Sequence, residues 1–327
     1  MSFSNFDQLI NLSDEVASPD FGYYPEKRPL NLLLNYGIVL LDKPAGPTSH
    51  EVVAWIKRIL DLPKAGHSGT LDPGATGLLP IGLGDATKAL GVLLLGPKEY
   101  FAVARLHTKE DESVVRNVLT NFLGEIYQRP PQRSSVRRAT RIRSIYELDL
   151  MEHEKNLLLL RILCQAGTYV RKLIYDIGEV LNCGATMLEL RRTRVSDFAE
   201  INQPFSRLHD IVEAFQIYRE TGEENLLRAV VKPVEECLKS VSSVIIKDSA
   251  VDALCHGAQL AVPGIVAFDR NLEIGQLVGI YTLKRELVGL GESLMNADSI
   301  RQTSKGIAFS MNRLIMRPGT YPKCWKS

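Results

Sequence analysis

The chain has 327 residues, 45% hydrophobic and 24% charged with a net charge of +1, the composition of a globular protein of about two domains with no overall sign of a nucleic-acid partner. No apolar run approaches the roughly 18 residues of a membrane span, and the start carries Asp7, Asp14, Glu15 and Asp20 without Lys or Arg, so it reads as a flexible acidic tail and not a secretory signal. The five cysteines (Cys164, Cys183, Cys237, Cys255, Cys324) include no C-x-x-C pair, which argues against a disulfide framework or zinc site and for buried thiols in a reducing, intracellular setting.

Residues 37–41 (GIVLL) predict a buried strand that runs into the loop DKPAGP (42–47). Thr48 with Glu51 three residues later is a capping box, and Val52, Trp55, Ile56, Ile59 and Leu60 recur at helical spacing behind it. GHSGTLDPGATG (66–77) is too rich in Gly and Pro for a regular element; a strand over 78–83 and a helix over 86–95 follow. Further on come a strand at 100–106, a helix at 113–123 ended by Gly124, a hairpin of 143–150 with 157–164, and a helix over 169–182 closed by Asn182 and Gly184. Residues 205–240 read as helical and partly acidic. After Ser242 short β-type runs (244–246, 265–268, 277–283, 286–290) are punctuated by Gly and Pro, the pattern of a small β-barrel or sandwich. Strands and helices intermix without a βαβ repeat, so the fold class expected is α+β with a mixed, largely antiparallel sheet, and the domain boundary falls near 240. Residues 1–30 form an N-terminal extension, 31–240 the larger domain and 241–327 the smaller.

Charge is uneven along the chain. From Arg129 to Arg143 there are six arginines and no acid, and Arg191, Arg192 and Arg194 form a second cluster. A local basic stripe attracts phosphate whatever the total, because exposed charges are screened beyond about 10 Å. Asp72, in Gly69-Thr70-Leu71-Asp72-Pro73, sits on a glycine-rich loop that Pro73 keeps from being helical. A carboxylate so placed can be a nucleophile, a general base or simply a turn residue. The loop lacks the G-K-[ST] ending of a phosphate cradle.

The run GHSGTLDPGATGLLPIGL resembles the signature of the TruB family of pseudouridine synthases, and that resemblance makes Asp72 the catalytic carboxylate. DKPAGPTSHEVV (42–53) resembles the family's other N-terminal motif, which implies that Lys43 and Pro44 build the core under the site with His50 near it. By the same resemblance His67 helps hold a uridine flipped out of the RNA. Lys98-Glu99-Tyr100 resembles a motif whose tyrosine stacks on the target base. AGTYVRKLIYDIG (166–178) resembles the segment whose arginine, here Arg171, pairs with the catalytic aspartate. LELRRTRVSDF (188–198) resembles the motif whose leucine, here Leu190, packs in the uracil pocket.

The short passage from Pro130-Pro131 to the next strand, the block KDSAVDALCHGAQLAVPGIVAFD (247–269) and the stretch FGYYPEKRPLNLLLNYGIVLLDKP are similar to the archaeal, dyskerin-like branch of the family, which implies a C-terminal PUA domain with the N-terminal extension, residues 1–30, packed on it. Gly74 and Ala75 depart from that branch, which usually has Lys and Val there. The branch implies the catalytic subunit of a guide-RNA-dependent H/ACA particle acting on rRNA, or also tRNA, in a cytoplasm without a nucleus. It implies no cofactor. It implies an H/ACA guide RNA, a target RNA and three protein partners: a Nop-type zinc-ribbon protein, a Gar-type protein and a kink-turn-binding ribosomal-type protein. Arg133, Arg137, Arg138 and Arg141 are the RNA contacts expected from charge, and Lys247 is assigned an RNA contact at the start of the PUA block. The competing readings are a stand-alone tRNA T-arm pseudouridine synthase and a non-catalytic RNA-binding scaffold.

Overall fold

A computed structural model describes residues 6, 8–129 and 139–324. Its strands fall into two sheets. The strand β1 (Leu9–Asn11) opens the chain. The larger sheet follows with β2 (Gly37–Lys43), β3 (Ala65–His67), β4 (Thr76–Leu83), β5 (Lys98–Leu106), β6 (Gly124–Gln128), β7 (Arg141–Glu154), β8 (Leu157–Cys164), β9 (Ala185–Val195), β10 (Phe198–Ala199) and β11 (Val231–Pro233). The order across it is β11-β2-β4-β9-β5-β8-β7-β6, with β3 on β4 and β10 on β9. Every pairing is antiparallel except β4 with β9. The second sheet holds β12 (Ser242–Ile246), β13 (Leu260–Ala261), β14 (Ile265–Asp269), β15 (Leu277–Tyr281), β16 (Leu287–Ser293) and β17 (Ile307–Leu314), in the order β1-β14-β12-β15-β16-β17-β13. The architecture is therefore α+β with mixed, largely antiparallel sheets.

One rank of residues crosses four strands of the large sheet. Lys43 on β2 pairs with Gly77 on β4, Gly77 with Arg192 on β9, and Arg192 with Tyr100 on β5. Paired residues share a face of the sheet, so the register alone gathers Lys43, Arg192 and Tyr100 on one side. The helix Ser49–Ile59 carries the expected capping box at Thr48 and buries Val52 and Ile56, but Trp55 is exposed. The helix Val170–Val180 buries Val170, Leu173, Ile174 and Ile177 against the core under β5, β7 and β8. Position 171 lies off that apolar stripe and faces outward.

Several expectations are corrected. The start of the chain is not a loose tail: Leu9–Asn11 pairs with β14, Glu15 meets Lys247, and the Ser18 amide donates to Asp248. Packing against a sheet edge outweighs the polar composition of the segment. Residues 205–240 are not one helical stretch. They comprise the helices Leu208–Thr221 and Asn225–Val230, the edge strand β11 and a 3-10 turn over Val234–Leu238. Of the cysteines, Cys183 is half-buried and Cys324 exposed.

The junction of the two sheets holds a buried polar network. Arg28 donates two hydrogen bonds to Glu235 (2.9 and 2.6 Å) and lies near Glu286, which accepts from the Tyr321 hydroxyl at 2.8 Å. Glu235 also accepts the Leu287 amide at 2.8 Å. Burial pushes the Glu286 carboxyl above the usual carboxylate range, and Tyr321 and Arg28 oppose that shift. Replacing Arg28 by Met strands buried carboxylates without their cation. The expected loss is about 3–5 kcal/mol in urea denaturation, and a loss under about 1 kcal/mol would contradict this account.

Candidate active site

Asp72 stands on the loop between β3 and β4, and each neighbouring backbone group is held from a different element. Ser49, at the first turn of its helix and fully buried, accepts the Leu71 amide at 2.9 Å and donates to the Leu71 carbonyl at 3.1 Å. The Lys43 ammonium donates to the carbonyls of Pro44 (2.8 Å), Pro73 (3.1 Å) and Ala75 (2.9 Å). The Gly46 amide donates to the Pro73 carbonyl at 2.9 Å, and the Ala75 amide closes a turn onto the Asp72 carbonyl at 3.0 Å. Upstream, Arg192 donates from Nε to the Leu78 carbonyl (2.8 Å) and from Nη2 to the Gly69 carbonyl (3.2 Å). The loop is tied to three other elements where the carboxylate emerges, although it contains little regular structure.

The Asp72 carboxylate faces outward, its side chain 54% exposed, and meets Arg171 with Nη2 to Oδ2 at 2.6 Å. An exposed pair of this kind contributes only about 0–1 kcal/mol to folding, so its effect is to orient the carboxylate more than to hold the fold. Tyr100 is half-buried and packs on the same core cluster as Leu190. The two are diagonal neighbours across β5 and β9, since Tyr100 opposes Arg192 and Ala102 opposes Leu190. Burial raises the Tyr100 phenol above its ordinary value, and the Arg192 guanidinium beside it partly offsets this. His67 and His50 meet edge to face at 5.0 Å, and His67 Nδ1 is buried without a hydrogen-bond partner. Burial, with His50 and Arg192 nearby, holds the His67 imidazole below its ordinary pKa, which favours the neutral ring.

The structure thus brings Asp72, Arg171, Tyr100, Leu190, His67, His50 and Lys43 to one face of the sheet and its rim. Pro44 is exposed and contributes only its carbonyl oxygen, so it is not a core residue. The Arg191–Arg194 cluster is not a solvated basic patch. Arg191 pairs with Asp42 and Glu200, and Arg192 is only 2% exposed. Lys247 meets Glu15 at 3.4 Å, with both side chains about a third exposed. Arg141 lies at the start of β7, half-buried; Arg133, Arg137 and Arg138 lie outside the described residues. Ser49, Lys98 and Arg192 are the contributors that sequence reasoning missed. Ser49 has no signature beyond its place after a cap, whereas the arginine doublet could have been read as one surface and one buried residue from the alternation of a strand. The Ser49 clamp predicts that Ser49→Ala leaves both backbone groups of Leu71 unsatisfied. The expected cost is about 1–3 kcal/mol in thermal or chemical denaturation, and a neutral change would refute the clamp.

Among the described residues, no helix is long and apolar enough to cross a membrane, and no group of three or more His, Cys, Asp or Glu could hold a metal ion. Comparison with known proteins matches four family models in order along the chain. They are the DKCLD (NUC011) domain over residues 1–53, the TruB family pseudouridylate synthase N-terminal domain over 57–170, the tRNA pseudouridylate synthase B C-terminal domain over 171–239 and the PUA domain over 242–315. A probable tRNA pseudouridine synthase B of Methanopyrus kandleri is 47% identical over 99% of this chain and 96% of its own. The protein of that name in Methanosarcina barkeri is 46% identical over 97% and 93%. Among solved structures, an H/ACA RNP bound to a substrate RNA containing 2'-deoxyuridine aligns with a TM-score of 0.90 and 42% identity, covering 99% of this chain and all of that one. A Cbf5-Nop10-Gar1 complex aligns at 0.89 and 43%, covering 99% and 98%. With the motifs on one face of one sheet and relatives matched over almost their whole length, the chain belongs to the TruB family of pseudouridine synthases, RNA isomerases, and carries a PUA domain.

Proposed function

We propose that this chain isomerises uridine to pseudouridine in RNA as the catalytic subunit of a guide-RNA-dependent H/ACA particle, with Asp72 as the catalytic carboxylate. The observation that carries the proposal is the alignment over 99% of the chain with a protein solved in an H/ACA RNP on substrate RNA. The reaction breaks the N1–C1′ bond of the target uridine and forms a C5–C1′ bond. It is an isomerisation, so it consumes no oxidant or reductant. The base must leave the RNA stack to be reached. Tyr100 and Leu190 then line its seat, with His67 and His50 at its edge, Arg171 aims Asp72, and Lys43 stiffens the loop beneath. Arg171→Ala is expected to leave folding within about 1 kcal/mol of the parent while lowering turnover by about 10²-fold. Turnover within a factor of about three of the parent would show that the pair does not orient the carboxylate.

The partners on this reading are an H/ACA guide RNA, the target RNA, a Nop-type zinc-ribbon protein, a Gar-type protein and a kink-turn-binding ribosomal-type protein, in the cytoplasm. The names of the Methanopyrus and Methanosarcina relatives favour a second substrate, tRNA. The deciding assay is pseudouridine formation in rRNA and tRNA fragments, with and without matching guide and partner proteins. Activity that requires the guide supports the particle; activity on a tRNA T-arm without one supports the stand-alone enzyme. Alanine at Arg133, Arg137, Arg138 and Arg141 is expected to weaken RNA binding and flatten its salt dependence, by about one unit of slope for each phosphate left without its arginine. Unchanged slopes would remove these arginines from the RNA interface.

A further inference from the structure

Three cations beneath the active-site loop are buried and have no acidic partner. Lys43 and Arg192 are the two largest of the fully buried side chains, and Lys98 is 5% exposed. Among the described residues, none of the three forms an ion pair. Each donates to backbone carbonyls instead. Lys43 takes those of Pro44, Pro73 and Ala75, and Arg192 takes those of Leu78 and Gly69. Lys98 takes those of Leu93 (2.9 Å), Leu94 (2.6 Å) and Gly96 (2.6 Å). These carbonyls take up the three donors of each lysine and two of the five of Arg192, which also meets the Tyr100 hydroxyl, and they cancel none of the net charge. Elsewhere the chain buries Arg28 against Glu235, while Lys284 is held, like these three, by backbone carbonyls, those of Phe21 and Gly22; among the described residues, only beneath the Asp72 loop do several such cations gather. Holding uncompensated charge in a dry interior is costly, and such sites are where function is sought first.

The three charges are arranged around one place. Lys43 and Arg192 flank Gly77 in the rank that ends at Tyr100, and Lys98 shares the Tyr100 face of β5, two residues away. Most of their carbonyl partners belong to the Asp72 loop (Gly69, Pro73, Ala75) and to the chain segment against it (Leu93, Leu94, Gly96), where Leu94 Cδ1 would be 3.4 Å from a Cβ on Gly69. The cations also act on one another. Burial and the Arg192 guanidinium bring Lys98 down to about 8, and burial lowers Lys43, with Arg192 adding to it and Asp72 opposing. An anion arriving in the pocket would relieve that repulsion. Asp72 and Arg171 at the rim form a pair of their own; the Asp72 charge also acts on Lys43, but no carboxylate of the described residues is among the groups that act on Lys98.

We infer that Lys43, Lys98 and Arg192 form a built-in counter-charge for the uracil anion released during the reaction. This rests on the pseudouridine synthase reading. When the N1–C1′ bond breaks, its electron pair stays on the base, and the negative charge spreads over N1, O2 and O4. After the base rotates, C5 supplies the electron pair for the new bond to C1′. The C5 proton then departs and N1 gains one, so the product is an isomer. A preorganised positive field in a low-dielectric site stabilises this intermediate without having to reorganise at the moment of cleavage.

The test measures the field directly. RNA carrying 5-fluorouridine at the target position is bound to the Asp72→Asn protein, so that no bond breaks. The assembly used is whichever one converts uridine RNA with the unsubstituted protein. N3 of 5-fluorouracil loses its proton near neutral pH, and fluorine NMR follows that loss. A cationic pocket is expected to lower the midpoint by about one unit relative to the free RNA, whereas burial alone would raise it. Lys98→Met in the same background should return a substantial part of the shift, and Arg192→Lys, which keeps the charge, should retain it. A midpoint unchanged or raised in the Asp72→Asn protein overturns the inference, whether or not the further variants fold. Failure of every assembly to convert uridine RNA would overturn the enzyme reading, and this inference with it.

Discussion

Asp72→Asn is expected to abolish pseudouridine formation, by at least about 10³-fold in single-turnover assays, while RNA affinity stays within a few-fold of the parent. The substitution is nearly isosteric, and the side chain is exposed, so nothing in the core is disturbed. The turn that holds the loop uses the Asp72 carbonyl, not its carboxylate, and survives the change. Only the pairing with Arg171 and the chemistry of a carboxylate are removed. A variant that retained turnover within about tenfold would remove Asp72 from the centre of the mechanism. One that failed to bind RNA as well would mean that the carboxylate has a structural role the geometry does not reveal.

The second large effect is expected at a residue that has no side chain of its own. Gly77 has φ +97°, and a Cβ on it would lie 2.2 Å from the carbonyl oxygen and 2.8 Å from the amide nitrogen of Arg192. Both neighbours are backbone atoms, so no side chain can move aside. Gly77→Ala must therefore open the β4–β9 joint, the parallel pairing that carries the cross-sheet rank. The expected cost is about 3 kcal/mol or more from strain and broken pairing, with turnover falling at least as far as stability requires. Gly74→Ala is the control: nothing lies within 4 Å of its Cβ position, so stability should be unchanged. If the two substitutions behaved alike in denaturation, the close approach at Gly77 would not be a constraint.

Much of this was legible in the sequence where a local rule and the tertiary environment agree. The Thr48–Glu51 capping box is present with both of its hydrogen bonds, and the apolar stripe of 170–177 became the buried face of its helix. The hairpin came out with its turn at Lys155 and Asn156, where Lys155 takes a left-handed conformation. Other elements depend on distant partners. Gly124–Gln128 carries no strong β pattern and is a strand because Arg141–Ile145 pairs with it, and Val231–Pro233 is a strand because β2 offers an edge. Arg191 and Arg192 are neighbours of identical chemistry. Only the pleat, which sends one out to Asp42 and the other under Gly69, separates their roles. The clamp of Ser49 on Leu71 joins residues 22 apart and left no trace that a reading of the chain could use.

The pairing of Leu9–Asn11 with β14 has a consequence for how the molecule is made. Leu9 opposes Asp269, so this early strand leaves the ribosome long before its partner exists. At about 5–20 residues per second that delay is tens of seconds, long compared with the collapse of the large sheet. During that time the nascent chain presents an unpaired edge and a growing catalytic domain whose shared core, in which Ile38 and Leu78 meet Leu287 and Ile315, lacks its last members. The two sheets can begin folding in order, but neither the second sheet nor the seam between them closes until Ile315 has been made. The architecture thereby ties completion of the PUA half to a meeting of early and late segments of the chain.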